Sequence, residues 1–300
     1  MKVKNLKIIL LYLFFFLFCQ DLYLYAKTVT DQLQRKVCLP DSPERVISLA
    51  PNVTEIIFAL KQEKKLVGAT MFSDHPKEAK KIYRVGSYVN LDIEKIIALN
   101  PDLCIATKDG NPKIVIDKLE KLKIPVYAVD PRNLKTVMNT ISQIAFLLNA
   151  NKKADKIISD MQKRISAVTN LVQKREKKPK VFFQIDTDMI ISVGTNTFIH
   201  ELITKAGGIN LGAGNIDYPR FNMEHILKMN PDIMIITSME KNNAFEKAKN
   251  RWEKYKSIAA VKNNKIFLAN SDLLNRPSPR LVDGLELLFK ILHKESVNGL

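Results

Sequence analysis

Glycine is scarce in this chain, ten residues in 300 against a usual share of about 7%, which disfavours a turn-rich all-β sandwich and suits helical packing. Cysteine is scarcer still. Three residues exclude a disulfide-dense scaffold, and a chain of this length buries a core without covalent staples. The four histidines, at 75, 200, 225 and 293, are too scattered for a dedicated zinc or manganese centre, so no metal ligand is expected. Catalytic signatures are missing as well: there is no Walker loop, no G-x-S-x-G elbow and no C-x-x-C pair. His200-Glu201-Leu202-Ile203-Thr204 opens like a zinc-protease helix but has Thr204 where the second histidine must stand. Gly212-Ala213-Gly214 opens like a dinucleotide fingerprint, with Asp217 in place of its third glycine. The pattern argues against ordinary enzymes.

The apolar run Ile8–Cys19 holds twelve residues, short of the ~20 that span a bilayer, and Gln20-Asp21 interrupts it. Behind the basic start of Lys2, Lys4 and Lys7 it reads as an export signal over residues 1–26, with Ala26 as its last residue. An uncleaved anchor and lipidation of Cys19 are the alternatives, though Phe16-Leu17-Phe18 is bulky where a lipidation site takes small residues. The expected location is therefore the periplasm. Removing this segment takes three lysines and Asp21, lowering the net charge from +16 to +14. The lysines are spread among acids, as in Lys152-Lys153-Ala154-Asp155-Lys156, with no aromatics interleaved. That is a solvated surface rather than a nucleic-acid groove. Cys38 and Cys104 remain, and spacing alone leaves open whether they pair.

An internal repeat dominates the rest. Asp92-Ile93-Glu94-Lys95-Ile96 followed by Asn100-Pro101-Asp102 returns, at a constant offset of 130, as Asn222-Met223-Glu224-His225-Ile226 followed by Asn230-Pro231-Asp232. Asp92 and Asn222 are N-caps, the apolar spacing after them is helical, and each proline stops its helix before a short apolar strand. Further strands are expected at 45–49, 66–70, 125–129, 181–185 and 265–269, with a helix at about 53–60. Strands alternating with helices predict parallel sheets covered on both faces. Between the halves, Asn151 to Arg175 contains neither glycine nor proline, and Ile157, Met161, Ile165, Val168 and Val172 form one helical stripe. The fold expected is α/β: two parallel-sheet lobes, 27–149 and 178–300, joined by one long rigid α-helix within 150–177. A core helix of one larger domain is the alternative.

In such sheets ligands bind at loops beyond the carboxyl ends of the strands. Those loops carry Pro51-Asn52-Val53-Thr54, Phe72-Ser73-Asp74-His75-Pro76, Ser87-Tyr88, Lys108-Asp109-Gly110-Asn111, Thr187-Asp188, Asp217-Tyr218-Pro219-Arg220 and Ser271–Arg276. Phe72, Tyr88 and Tyr218 are aromatics in polar loops, suited to stacking on a large flat ligand or to plugging the loop bases.

Ser-Leu-Ala-Pro-Asn-Val-Thr-Glu at 48–55, Ser73-Asp74-His75-Pro76, the Glu94 and Asn-Pro-Asp unit, Tyr218-Pro219, Glu224, Ser271-Asp272 and Ser278-Pro279-Arg280 together resemble the periplasmic cobalamin-binding proteins of bacterial ABC importers, of the helical-backbone class. The likeness covers nearly all of residues 44–295. It implies a monomeric receptor for cobalamin or another corrinoid as transported ligand, partnered by a permease with its ATPase. It also implies that Phe72, Tyr88 and Tyr218 flank the corrin and that the loop Asp272, Leu273, Leu274, Asn275, Arg276 meets the ligand's edge or nucleotide tail. Glu94 and Glu224 then dock on permease arginines, whereas their local role is to stabilise a helix N-terminus. The family pattern has large aromatics where this chain carries Thr107 and Ile191, which leaves haem or a ferric siderophore as alternative ligands. An exported α/β hydrolase-like enzyme using Ser48 or Ser192, and an adhesive surface protein, are the readings of other classes.

Overall fold

The computed structural model describes residues 26–237 and 244–293. The expected export segment with Cys19 lies outside the described residues up to residue 25, and Ala26 opens the first strand.

A hairpin of β1 (Ala26–Thr30) and β2 (Lys36–Pro40) precedes two parallel sheets of four strands each. The first contains β3 (Val46–Ser48), β4 (Leu66–Ala69), β5 (Leu103–Thr107) and β6 (Val126–Val129), in the order β4-β3-β5-β6. The second contains β7 (Lys180–Gln184), β8 (Ile209–Asn210), β9 (Ile233–Ile236) and β10 (Ile266–Leu268), in the order β8-β7-β9-β10. The two orders are the same permutation. The sequence repeat is thus a repeat of topology, and the expected parallel sheets are present. The hairpin and the two-residue β8 had no clear sequence signal.

The helices are α1 (Pro51–Ala59), α2 (Ile93–Ala98), α3 (Lys113–Lys121), α4 (Leu134–Leu147), α5 (Asn151–Gln173), α6 (Phe198–Lys205), α7 (Met223–Met229), α8 (Ala244–Glu253), α9 (Ala259–Lys262), α10 (Ser271–Leu274) and α11 (Leu281–His293). The segment Pro51–Thr54, expected as a loop, is instead the first turn of α1, with proline at its start where the missing N–H is harmless.

The repeated motif has a mechanical reason. The Asp92 carboxylate accepts from the Lys95 amide at 3.1 Å and the Asn222 side chain from His225 at 2.9 Å, capping α2 and α7. Asn100 and Asn230 take left-handed backbone, φ 43° and 44°, a conformation asparagine tolerates better than most residues. Each thereby turns the chain out of its helix ahead of the proline. Asp102 then accepts from the amides of Glu44 and Arg45, and Asp232 from that of Lys180, tying the start of β5 to the entry of β3 and that of β9 to β7. Ile96 and Ile226 are wholly buried beneath, while Glu94 and Glu224 are exposed at matching positions.

At ~1.5 Å per residue, the 23 residues of α5 reach about 35 Å. Its stripe buries Ala154, Met161 and Val168 and half-buries Ile157, Ile165 and Val172. This face packs on α4 from one lobe and α11 from the other. One continuous apolar cluster therefore runs from Val46 and Leu103 through Met161 to Phe183 and Leu285, and a separate cluster covers the far face of each sheet. Arg164 of α5 adds a fork onto Glu286 at 2.8 and 2.7 Å and reaches Asp283 at 2.5 Å. The linker is a packed spine rather than a free-standing rod.

Candidate functional site

The carboxyl ends of both sheets face a common seam. A cleft of about 380 Å³ lies there, lined by Ala50, Asn52, Tyr88, Thr107, Asp109 and Gly110 from the first lobe and by Ile185, Phe198, Tyr218, Asn275 and Arg276 from the second. That volume is near the lower end of ligand pockets, about 300–1,000 Å³.

Two tyrosines enter it from opposite lobes. Tyr88 rests on Gly110, where an added Cβ would stand 2.5 Å from the ring and the backbone has φ +120°. Only glycine meets both conditions. Asn111 fixes this corner, donating to the carbonyls of Leu49 and Tyr88 while accepting from the Thr107 amide. Phe72 meets the Tyr88 ring edge-on at 6.0 Å, so the structure sets it behind Tyr88 and not among the lining residues. Across the seam, Tyr218 donates its phenolic hydrogen to Asp109 at 3.1 Å. Burial, and then Asp109, push the Tyr218 hydroxyl well above its ordinary pKa, and burial raises that of Tyr88. Neither ring is inclined to ionise.

Two charge networks bridge the lobes. At the mouth, Arg132 reaches Asp130 at 2.5 Å, Asp109 at 2.8 Å and Asp217 of the second lobe at 3.1 Å. Deeper, the Glu55 carboxylate accepts from Arg276 at 3.1 Å, Arg280 at 3.0 and 2.5 Å, and Ser278 at 2.6 Å. Arg276 is also bound to Asp74 at 3.0 Å and to Asp272 at 2.7 Å. Burial works against the Arg276 charge, but Asp272 and Glu55 outweigh it and hold its pKa up. Glu201 adds a further bridge, its carboxylate accepting from the first backbone amide of α4 at 2.6 Å. The segments 48–55 and 278–280, more than 220 residues apart in sequence, meet at Glu55. Spacing gave no sign of this.

Of the loop 272–276, Asn275 and Arg276 line the cleft. Asp272 is turned to Arg276, Leu273 is half-buried on α10, and Leu274 is a core residue with no exposure. Asp130, Phe198 and Ile199 are lining residues that sequence reasoning did not single out, and Asp109 was expected only as part of its loop. Asp109 and Asp130 carry the signal of sitting just after a strand, whereas Phe198 and Ile199 look like ordinary core positions. Thr107 lines the cleft, and Ile191 lies outside it, bridged to Arg220.

The serines considered as nucleophiles are placed otherwise. Ser48 is buried in a hydroxyl chain with Thr54 and Ser73, none of them a base. Ser192 is buried with its Oγ against Gly212. The hydrolase-like reading thus loses both of its nucleophiles. Among the described residues no His/Cys/Asp/Glu group could hold a metal ion. Cys38 is exposed and Cys104 buried, both free, so the open pairing question resolves against a bridge.

Two α/β lobes on a helical spine with a cleft at their seam are the architecture of the substrate-binding class of proteins. Comparison with known families agrees. The chain belongs to the periplasmic binding protein family, which it matches over residues 46–273, a family of binding proteins rather than of enzymes. It is 31% identical over 244 residues to the vitamin B12-binding protein of Vibrio parahaemolyticus serotype O3:K6 (strain RIMD 2210633), covering 81% of this chain and 86% of that one. It is also 31% identical over 285 residues to YvrC, an uncharacterized ABC transporter substrate-binding lipoprotein of Bacillus subtilis (strain 168), covering 92% and 88%. Among solved structures it resembles the periplasmic vitamin B12-binding protein BtuF of Vibrio cholerae, with a TM-score of 0.75, 29% identity, and coverage of 84% of this chain and 98% of that one.

Proposed function

We propose that the chain is an exported, monomeric receptor that captures cobalamin or a related corrinoid between its lobes and hands it to an ABC permease and its ATPase, performing no chemistry itself. The observation that carries this is the pairing of Tyr88 and Tyr218 from opposite lobes over a cleft whose two arginines are already saturated by carboxylates. Aromatic faces suit a broad macrocycle. With Arg132 and Arg276 engaged by carboxylates, neither guanidinium is free to pair with a ligand's acids, which fits a ligand edged with amides better than one edged with carboxylates, such as haem. The likeness to vitamin B12-binding proteins supports the same ligand. A cleft of about 380 Å³ must widen to admit it, so loading involves parting of the lobes.

Glu94 and Glu224 complete the reading as docking points, one per lobe at equivalent turns of the repeat. Glu224 is paired with Lys228 at 3.1 Å on its own helix. An exposed ion pair contributes only ~0.2–1 kcal/mol, so their role is register and orientation on basic sockets. The segment 1–26 delivers the chain to the periplasm, free or tethered through Cys19.

Calorimetric titration with cyanocobalamin, with haemin and ferric hydroxamates in parallel, tests the ligand. Saturable one-to-one binding of the corrinoid supports the reading. Saturable binding of haemin or a ferric hydroxamate without corrinoid heat replaces it with the alternative.

A further inference from the structure

We propose that Asn52 is the specificity-determining donor of the cleft, reading an oxygen acceptor on the bound ligand; this rests on the ligand occupying the interlobe cleft, as argued above. Asn52 is the second residue of α1, is only 5% exposed, and borders the cleft beside Ala50 and Pro51. Its Nδ2 has no hydrogen-bond acceptor among the described residues. Buried amide hydrogens are nearly always paired, and one left unpaired on a residue that lines a binding cleft is a place for a ligand atom.

The amide and guanidinium donors of its neighbours are already engaged. The Asn111 amide serves the carbonyls of Leu49 and Tyr88, and the Asn275 amide bonds to Thr237. Arg132 and Arg276 are each held by three carboxylates. Asn52 also stands in the first turn of a nine-residue helix, where the backbone dipole favours electron-rich atoms. Donor and dipole therefore ask for the same partner, an oxygen. Two sources of it on a corrinoid fit, an amide carbonyl of a side arm and a phosphodiester oxygen of the nucleotide tail.

The test is calorimetry with Asn52→Ala and Asn52→Asp, using cyanocobalamin and dicyanocobinamide, which lacks the nucleotide tail. Loss of one charge-free hydrogen bond and of its dipole help is expected to weaken Asn52→Ala by roughly tenfold. Asn52→Asp, which offers acceptors in place of the donor, is expected to weaken at least as much. The ligand-free melting temperature of Asn52→Ala should stay within about 2 °C of the unmodified chain, because no internal bond is lost. A penalty that persists with dicyanocobinamide assigns the acceptor to a side-arm amide, and one that vanishes assigns it to the tail. Unchanged affinity in both variants overturns the proposal, as does a large fall in melting temperature that tracks the affinity. If the unmodified chain binds haemin or a ferric hydroxamate instead, the corrinoid reading fails and Asn52 is judged on that ligand by the same ratio. Binding of none of them overturns both.

Discussion

Arg132 of the first lobe holds Asp217 of the second at 3.1 Å across the mouth of the cleft, and the adjacent Tyr218 returns the contact by donating to Asp109. The four side chains form a ring over the opening, because Asp109 is itself bound to Arg132. Two of the ring's contacts cross the seam and one lies within a lobe, with Asp217 and Tyr218 joined as chain neighbours, so parting the lobes exchanges only the crossing pair. Arg132→Gln should therefore loosen the closed form without unfolding either lobe. Stopped-flow binding of cyanocobalamin is expected to show a faster association rate, and melting a loss of about 1 kcal/mol or less, as for partly exposed ion pairs. A slower association rate would contradict this.

The deep network should behave in the opposite way. Glu55 has a side chain only 2% exposed and accepts from Arg276, Arg280 and Ser278 at once. Removing its carboxylate takes away the carboxylate partner of Arg280 among the described residues and leaves Arg276 with Asp74 and Asp272 alone. Glu55→Ala is expected to destabilise the fold by roughly 3–5 kcal/mol in denaturant titration, while Glu55→Gln, which keeps acceptors in place, loses less. Equal losses in the two variants would show that charge is not what matters there.

Much of this architecture was legible beforehand, and the reasons are local. Alternating apolar strands, the stripe on α5 and the offset of 130 between Glu94 and Glu224 are periodic signals, and periodicity survives in one dimension. The long-range pairings do not. Nothing near Glu55 in the chain announces Ser278 or Arg280, and nothing near Arg132 announces Asp217, because an ion pair across a seam depends on how two lobes face each other. The same limit explains Phe72, whose loop position resembles that of Tyr88 but whose ring backs its neighbour. It also explains Leu274, which shares a segment with Asn275 yet turns into the core through one helical turn.

Docking separates cleanly from capture in the proposed scheme. Glu94 and Glu224 are exposed, and neither borders the cleft. Glu94→Ala combined with Glu224→Ala should abolish uptake in cells while leaving calorimetric affinity for the ligand within about twofold, a difference well under 1 kcal/mol. A matching loss of affinity would place these acids in the binding reaction instead.

Acid should weaken the fold through two histidines. His75 and His200 both have pKa values lowered below the ordinary range, chiefly by burial. The unfolded chain takes up these protons first, near pH 6.5. Their contribution to stability is therefore complete above about that pH and is lost as pH falls toward the folded values. Melting temperature measured from pH 8 down to pH 5 should decline, and His200→Gln should flatten part of the slope. A slope unaffected by replacing either histidine would assign the acid sensitivity to other groups.

The central claim is that one ligand is clamped between Tyr88 and Tyr218. Its most direct test is titration of cyanocobalamin into the unmodified chain and into Tyr88→Ala, Tyr218→Ala and the double variant. Each ring stands to lose about 1.5–3 kcal/mol of burial, so the account predicts one-to-one binding weakened roughly tenfold or more by each substitution and further by both. Affinity unchanged in the double variant would contradict it.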